Sequence, residues 1–302
     1  MSNLKVEICG VEFKNPIIAA SGTFGFSKEY SKFYDVSILG GISTKALTLE
    51  KREGNFSPRI AETPSGILNA VGLQNPGVEY FLENELLYLE QLDTVVIANI
   101  AGKSEADYCK LAAKLSETCI DMIELNISCP NVRQGGMAFG VMPESVFKIT
   151  KAVKEVCGKP LIVKLTPNTA FIAENAKAAE EGGADALSLI NTITAMSVDI
   201  KTREPVLANK VGGLSGPCIK PIALKMVYDA YKAVKIPVIG IGGIRTASDV
   251  IEFMLCGARA VQVGTANITN PLACKEIVES LERYLTENNI DDVNSLVGAL
   301  KV

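Results

Sequence analysis

One loop of the chain carries the residue types best suited to chemistry. It reads NISCPNVRQGGMAFG over residues 126–140 and places Cys129 between two amide side chains, Asn126 and Asn131. A thiol whose pKa is tuned by polar neighbours can act as a base or a nucleophile, and amides offer a donor and an acceptor to a neutral ring. Cys129 is therefore the candidate catalytic residue, and the other seven of the eight cysteines are interpreted as inert packing thiols.

The composition excludes several other chemistries. None of the 302 residues is histidine, so Ser-His-Asp and Cys-His catalytic pairs and the usual His-containing zinc sites are impossible. The formal charge of −4 argues against a protein whose main partner is the nucleic-acid backbone. No two cysteines are closer than ten positions, so neither a CxxC pair nor an iron–sulfur cluster loop is indicated.

The location is predicted from two further features. The N-terminal segment MSNLKVEICGVEFKNP has neither the basic and apolar pattern of a signal peptide nor the composition of a transit peptide. No apolar run approaches the roughly 18 residues of a membrane span. We therefore expect a cytoplasmic protein that uses neither a membrane nor nucleic acid.

Short β-branched runs alternate with amphipathic stretches along the whole chain, which is typical of parallel strands joined by helices. The pattern predicts an α/β fold, a (β/α)8 TIM barrel, as a single domain over residues 1–302. The predicted strands are Ile17–Ala20, Ser37–Thr44, Val95–Ile100, Met122–Asn126, Leu161–Leu165, Ala186–Ile190, Val238–Gly240 and Ala260–Val263. Ser104 and Thr246, each with an aspartate three residues later, are predicted to begin helices.

Three segments do not fit the repeat. Lys5–Lys14 alternates apolar and polar residues about Gly10, which predicts an N-terminal β-hairpin that closes the barrel floor. Residues 47–77 and 191–217 are long, glycine-bearing insertions that follow strands. Loops of that length usually cover active sites, so both are expected on the catalytic rim.

Polar or glycine residues lie at the carboxyl end of every predicted strand, where barrel active sites are built. The last two strand ends read GIGGI and VGTA, which suit a phosphate because adjacent glycines let backbone N–H groups approach an anion. No strand is followed by GxGxxG, so a Rossmann NAD site is not indicated. Lys45 and Lys164 lie at the ends of apolar strands. Their positive charges can bind a carboxylate or stabilise an anionic ring.

An ordered set of motifs gives these residues a familiar context: STKALTLEKREGN, LNAVGLQNPG, NISCPN, KLTPN, NTITAM, GGLSGP, GIGGI and VGTA. Together, over nearly the whole chain, they resemble the class 1 dihydroorotate dehydrogenases of pyrimidine biosynthesis. The resemblance implies oxidation of (S)-dihydroorotate to orotate, with hydride transfer to one FMN per chain and Cys129 as the general base at carbon 5. The class 2 enzymes fit less well, since they use serine as the base.

The resemblance also implies which residues bind. The FMN residues would be Ser21, Lys45, Ala46, Asn99, Asn126, Lys164, Ile190, Gly216, Gly242, Gly243, Gly264 and Thr265, the last five around the phosphate. The substrate residues would be Lys45, Asn69, Ala70, Val71, Gly72, Leu73, Asn126, Asn131, Asn191 and Thr192. Lys45 would face the carboxylate, and Lys164 would lie near the flavin edge that becomes anionic on reduction. No metal is expected.

The electron acceptor divides the family. LNAVGLQNPGVEYF resembles class 1B, which implies a homodimer core within a heterotetramer and a partner subunit that carries FAD and a [2Fe-2S] cluster and reduces NAD. The alternatives are a class 1A homodimer that uses fumarate and a related flavin barrel that acts on uracil-type bases. A uridine-modifying RNA-binding flavin barrel and a non-catalytic scaffold are weaker rivals.

Overall fold

Eight parallel strands close into a barrel and follow one another around it in chain order. The computed structural model describes residues 2–127 and 139–301. Within those ranges the barrel strands are β3 (Ile17–Ala19), β4 (Gly41–Ser43), β7 (Val95–Ile100), β8 (Met122–Asn126), β9 (Leu161–Lys164), β10 (Ala186–Leu189), β15 (Val238–Ile241) and β16 (Ala258–Val263). The predicted (β/α)8 fold is confirmed, because each adjacent pair is parallel and β16 returns to β3.

Helices cover the outside of the barrel. The longer ones are α3 (Glu105–Ser116), α4 (Pro143–Lys154), α5 (Ile172–Glu181), α6 (Lys220–Ala233), α7 (Ala247–Leu255) and α9 (Ala273–Glu287). The shorter ones are α1 (Val78–Tyr80), α2 (Leu86–Leu89) after a π-helical turn at Phe81–Glu85, α8 (Ala266–Thr269), and 3₁₀ turns at Tyr30–Lys32, Val36–Ile38, Pro217–Ile219 and Val293–Leu296. No helix in the described ranges is long and apolar enough to cross a membrane.

Local capping explains where two of these helices begin. The Ser104 hydroxyl accepts the Asp107 backbone N–H at 3.2 Å, and Thr246 with Asp249 forms a complete capping box. Both features satisfy backbone donors that a helix N-terminus otherwise leaves unpaired. The two helix starts predicted from sequence are therefore confirmed.

The predicted hairpin also forms and lies at the barrel floor. Strands β1 (Val6–Ile8) and β2 (Val11–Phe13) pair antiparallel, and the Phe13 side chain is fully buried. The Cys9 thiol donates to the backbone carbonyl of Asp185, just before β10 begins, at 3.1 Å. This contact places the hairpin at the amino ends of the barrel strands, opposite the polar strand ends.

The two long insertions pair with each other. Strands β5 (Ile60–Thr63) and β6 (Gly66–Asn69) come from the first, and β11 (Ile193–Ala195) and β14 (Gly212–Ser215) from the second. They form one four-stranded sheet in the order β11-β14-β6-β5, and β12 (Val198–Asp199) pairs with β13 (Glu204–Pro205) beyond it. The insertions predicted as loops therefore form, in part, an ordered sheet. The first insertion follows β4 and the second follows β10.

Two sequence-based expectations need correction. Residues predicted as the start of a strand at Ser37 form a 3₁₀ turn instead, because the Asp35 carboxylate accepts the Ser37 backbone N–H at 3.0 Å, and the strand begins only at Gly41. The packing role assigned to the cysteines fails at Cys119 and Cys218, which are exposed, whereas Cys274 is buried. Burial raises the pKa of Cys274 to about 12, so that thiol is inert near neutral pH.

Candidate active site

Three amide side chains line up across the carboxyl ends of the barrel strands. Asn99 is the next-to-last residue of β7, Asn126 is the last residue of β8, and Asn191 lies two residues after the end of β10. The Asn126 amide nitrogen lies 3.5 Å from the Asn99 side-chain oxygen, and the Asn191 amide nitrogen lies 3.4 Å from the Asn126 side-chain oxygen. These three residues, the amide row, offer donors and acceptors of the kind that read a ring bearing carbonyl and N–H groups.

A lysine and a carboxylate lie beneath the amide row inside the barrel. The Lys164 ammonium is 3.4 Å from a Glu124 carboxylate oxygen and 3.4 Å from the Gln262 side-chain oxygen. Lys164 is 5% exposed and Glu124 is 0% exposed, so this ion pair is excluded from water. Coulomb interactions are weakly screened where water is excluded. The two charges therefore interact strongly with a group bound at the strand ends.

Glu124 stays ionised despite its burial. Desolvation raises its pKa, but the Lys164 ammonium and hydrogen bonds from Ser188, Gln262 and Asn99 together hold that pKa below the ordinary 4.5. At neutral pH the barrel interior therefore contains a fixed negative charge next to a lysine.

Glycines and one hydroxyl gather at the other side of the rim. We call Gly216, Gly242, Gly243, Gly264 and Thr265 the glycine cluster. Gly242 has φ +136° and Gly243 has φ +74°, and a Cβ on Gly243 would lie 2.8 Å from the Gly216 carbonyl oxygen. The Thr265 hydroxyl donates to the Ser215 hydroxyl at 2.8 Å, which joins the end of β16 to that of β14. Backbone this close and this free of side chains suits an anion.

The insertion sheet brings a third group of predicted residues to the rim. The Asn69 amide lies 3.4 Å from the Gly213 carbonyl oxygen, and a Cβ on Gly213 would lie only 2.1 Å from the Thr192 hydroxyl. Asn55 ties the segment Ala70–Leu73 down, since its backbone N–H donates to the Val71 carbonyl at 2.9 Å and its amide donates to the Ala70 carbonyl at 2.9 Å. Gly72 and Leu73 both have positive φ there, +78° and +57°.

The remaining predicted residues also follow barrel strands. Ser21 comes two residues after β3, and a Cβ on Gly264 would lie 3.7 Å from the Ala20 Cβ, so these two ends adjoin. The Lys45 backbone N–H donates to Gly25 at 3.0 Å, and Ala46 and Ile190 are buried. Cys129 and Asn131 lie outside the described residues.

Comparison with known proteins identifies the family. The family described as dihydroorotate dehydrogenase matches residues 3–285. The chain is 55% identical, over 99% of both sequences, to a Thermoanaerobacter pseudethanolicus protein named dihydroorotate dehydrogenase B (NAD(+)), catalytic subunit. The chain belongs to the dihydroorotate dehydrogenase family. Two proteins with the same name come from Alkaliphilus oremlandii and Caldicellulosiruptor bescii and are 55% and 53% identical to this chain. Each alignment covers 99% of this chain, and they cover 99% and 100% of the two relatives, respectively.

A solved structure agrees at the level of the fold. A DHODH from Eimeria tenella in complex with ferulenol superposes with a TM-score of 0.83 and 23% identity, over 98% of this chain and 88% of that one. At that identity the match supports the fold alone. The family and the residues at the rim support the activity.

The dihydroorotate dehydrogenase family depends on FMN, and the rim residues fit that group. The glycine cluster would present backbone N–H groups to a phosphate, and a Cβ on Gly264 would meet the Ala20 Cβ at 3.7 Å and the Thr23 Cγ2 at 3.9 Å, both ordinary contact distances. Lys164 provides a buried positive charge for an anionic reduced ring.

Sequence reasoning missed four buried polar residues under the site. These residues are Glu124, Ser43, Ser188 and Gln262, and all are 0% exposed. The last three donate hydrogen bonds to the Glu124 carboxylate inside the barrel. A signal was present, because MIELN and ARAVQV place Glu124 and Gln262 between apolar neighbours inside mostly apolar strands. A buried polar group in such a strand requires partners, which predicts a network across the barrel.

Proposed function

We propose that this chain is the catalytic subunit of an NAD-linked dihydroorotate dehydrogenase, in which (S)-dihydroorotate is oxidised to orotate at the rim of one FMN-binding barrel domain. The observation that carries the proposal is the amide row above the buried Lys164–Glu124 pair, opposite the glycine cluster. One side of the rim suits a planar ring with carbonyl and N–H groups, and the other suits a phosphate. The 55% identity to relatives named as NAD-linked catalytic subunits supports the same conclusion.

Binding comes first in this mechanism. Dihydroorotate carries amide-like groups on its ring and a carboxylate beside it. Asn126 and Asn191 of the amide row, with Asn69 and Asn131, hydrogen-bond the ring, and the Lys45 ammonium pairs with the carboxylate. Ala70–Leu73 and Thr192 form the wall on the insertion side, where Asn55 fixes the backbone.

Proton removal is assigned to Cys129. Its thiolate takes the proton from carbon 5 while the carbon 6 hydrogen leaves with its electron pair, so a carbon–carbon double bond forms and orotate results. FMN supplies the two-electron acceptor for that hydride when it is bound. Lys164 would supply positive charge to the reduced cofactor, and the glycine cluster would hold its phosphate. The remaining cofactor residues would be Ser21, Ala46, Asn99 and Ile190.

The electrons then leave through another protein. We assign their transfer to NAD to a partner subunit with FAD and a [2Fe-2S] cluster, bound to a homodimer of this chain in a heterotetramer. The residues described here contain no cluster of three or more His, Cys, Asp or Glu side chains that could hold a metal. A cytoplasmic location remains a prediction from the sequence.

The proposal is tested by an anaerobic assay of the purified chain with dihydroorotate. Fumarate and NAD are offered as acceptors, each with and without the candidate partner subunit. We expect NADH formation only when the partner is present and little turnover with fumarate. Rapid fumarate turnover by the chain alone would instead indicate the class 1A reaction.

A further inference from the structure

A carboxylate that takes no part in the proposed reaction lies directly below it. Glu124 precedes Asn126 by two residues on β8, and alternate residues of a strand point to the same face. Both side chains therefore face the barrel interior, with Asn126 at the rim and Glu124 one layer deeper. Glu124 is 0% exposed, which is rare for a carboxylate unless it is paired.

Five side chains from five other barrel strands converge on this carboxylate. One oxygen accepts from Ser43 at 2.9 Å and from Asn99 at 2.5 Å, and it faces the Lys164 ammonium at 3.4 Å. The other oxygen accepts from Ser188 at 2.8 Å and from Gln262 at 2.5 Å. Glu124 is thus the common acceptor for the strand ends that carry the amide row and the lysine.

The bond to Asn99 fixes how the amide row is oriented. Because Glu124 can only accept, the Asn99 amide must turn its nitrogen toward the carboxylate and its oxygen toward Asn126. That oxygen faces the Asn126 nitrogen, which leaves the Asn126 oxygen for the Asn191 nitrogen. One buried charge therefore determines which end of each amide faces its neighbour in the row.

Stability alone does not account for a charge at this position. Well-packed apolar side chains usually stabilise a protein interior as much as a buried ion pair of similar volume, because desolvation costs offset the Coulomb attraction. Apolar side chains occupy the same face of these strands two residues before Asn99, Glu124 and Lys164: Ile97, Met122 and Ile162 are all fully buried. A fixed acceptor that orients functional groups is the advantage that apolar packing cannot supply.

We propose that Glu124 is a positioning residue for dihydroorotate oxidation: it orients the amide row through Asn99 and holds the Lys164 ammonium, so that it sets both orotate affinity and the reduction potential of the bound flavin. This inference rests on the proposed function and adds a residue to it. Glu124 acts through its neighbours and contacts neither substrate nor cofactor.

The main test is E124Q, which keeps the shape and removes the charge. A glutamine offers one acceptor oxygen and one amide nitrogen, so a donor on one side of it loses its partner. We expect the Kd for orotate to rise about tenfold, as a lost buried hydrogen bond predicts. We also expect the flavin midpoint potential, measured by equilibration with a reference dye, to rise, because a negative charge near the reduced ring is removed.

S188A is the matched control. Ser188 is equally buried and bonds the same carboxylate at 2.8 Å, but on the oxygen that contacts neither Asn99 nor Lys164. We expect a lower melting temperature in both variants, and unchanged orotate affinity and midpoint potential in S188A. Equal changes in S188A and E124Q would show general loosening of the barrel and overturn the proposal.

E124D separates charge from reach. It keeps the negative charge but shortens the side chain by one methylene, so we expect weak orotate binding with a midpoint potential close to that of the parent. If E124Q does not fold, the orotate affinity of E124D alone tests the proposal, and an affinity equal to that of the parent would overturn it. A folded E124Q with the orotate affinity and midpoint potential of the parent would also overturn it. If the parent itself neither binds orotate nor is reduced by dihydroorotate, the proposed function fails instead.

Discussion

The two sides of the barrel rim are built by different means. At the glycine cluster the backbone itself makes the surface, and side chains would obstruct it: a Cβ on Gly242 would lie 2.6 Å from the Ala223 Cβ. At the amide row the side chains make the surface, and their orientation derives from a buried carboxylate with five donors. At Gly242 and Gly243 the first side has no room for a side chain, whereas the second side depends on its charge and on the orientation of its amides.

The difference indicates a division of labour. A phosphate is a permanent anion that needs donors at short range, and backbone N–H groups at fixed positions provide them without side-chain entropy. A reacting ring must be read at both donor and acceptor positions, which requires amides held in one orientation. Substitutions in the glycine cluster should therefore weaken FMN binding. Substitutions on the side of the amide row should weaken substrate binding and slow the chemistry while FMN is retained.

The largest difference between the effects on FMN binding and on chemistry is expected from Cys129→Ala. The variant should keep its FMN but slow flavin reduction by dihydroorotate by about 10²–10⁴-fold, the usual contribution of a positioned base. Anaerobic stopped-flow absorbance measures this rate in a single turnover. Cys218→Ala, which removes an exposed thiol, is the control and should behave like the parent. Unchanged reduction in the Cys129 variant would remove it as the base.

The converse effect is expected from Gly243→Ala. The new Cβ would lie 2.8 Å from the Gly216 carbonyl oxygen at a backbone φ of +74°, where side chains are strained. We expect FMN to bind about 10- to 100-fold more weakly, in line with the cost of such backbone strain. Fluorescence titration of the apoprotein with FMN gives the Kd. Gly158→Ala is the control, since its Cβ would meet Ser116 at an ordinary 3.4 Å.

A smaller effect, again on the substrate side, is expected from Lys45→Ala. Loss of the ammonium should raise the Kd for orotate about tenfold, as the loss of a charge-assisted hydrogen bond predicts, and should change FMN affinity less. Spectral titration of the FMN-loaded protein with orotate measures the first quantity. The control is Lys51→Ala, whose exposed ammonium pairs with Glu53 at 2.7 Å nearby. Equal orotate affinity in the Lys45 variant and the parent would contradict the assignment.

The smallest effect concerns stability and pH. Glu124 has a folded-state pKa below its ordinary 4.5, so its ionisation stabilises the fold fully above that pH and progressively less as the pH falls toward the lowered value. The difference in unfolding free energy between the parent and E124Q should therefore be constant near neutral pH and shrink below pH 4.5. Denaturant titrations at several pH values measure it. A difference that grows on acidification would show that Glu124 is protonated in the folded protein.

Much of the fold is predictable because its signals are local. Ser104 and Thr246 cap helices through residues three positions away, and the barrel strands are apolar runs of recognisable length. The 3₁₀ turn at Val36–Ile38 was missed because one side chain, Asp35, redirects an otherwise strand-like run. The insertion sheet was missed because β6 and β14 pair across 143 or more intervening positions, at Asn69 with Gly213 for example, and no local pattern encodes that register.

The candidate site divides in the same way. Residues at strand ends, such as Asn126 and Lys164, were predictable from their place in the barrel repeat, and the family resemblance supplied their roles. Glu124 was not found, since its importance depends on donors contributed by five other strands. Those partners come together only when the barrel closes, so the support beneath a site is harder to predict than the site itself.

The account is tested most directly by adding dihydroorotate to the purified chain under anaerobic conditions and recording the flavin absorbance. We predict a yellow protein with one FMN per chain whose visible band bleaches on addition of about one equivalent of dihydroorotate, with orotate as the product. A chain that binds no flavin, or one whose bound flavin keeps its absorbance in excess dihydroorotate, would contradict the account.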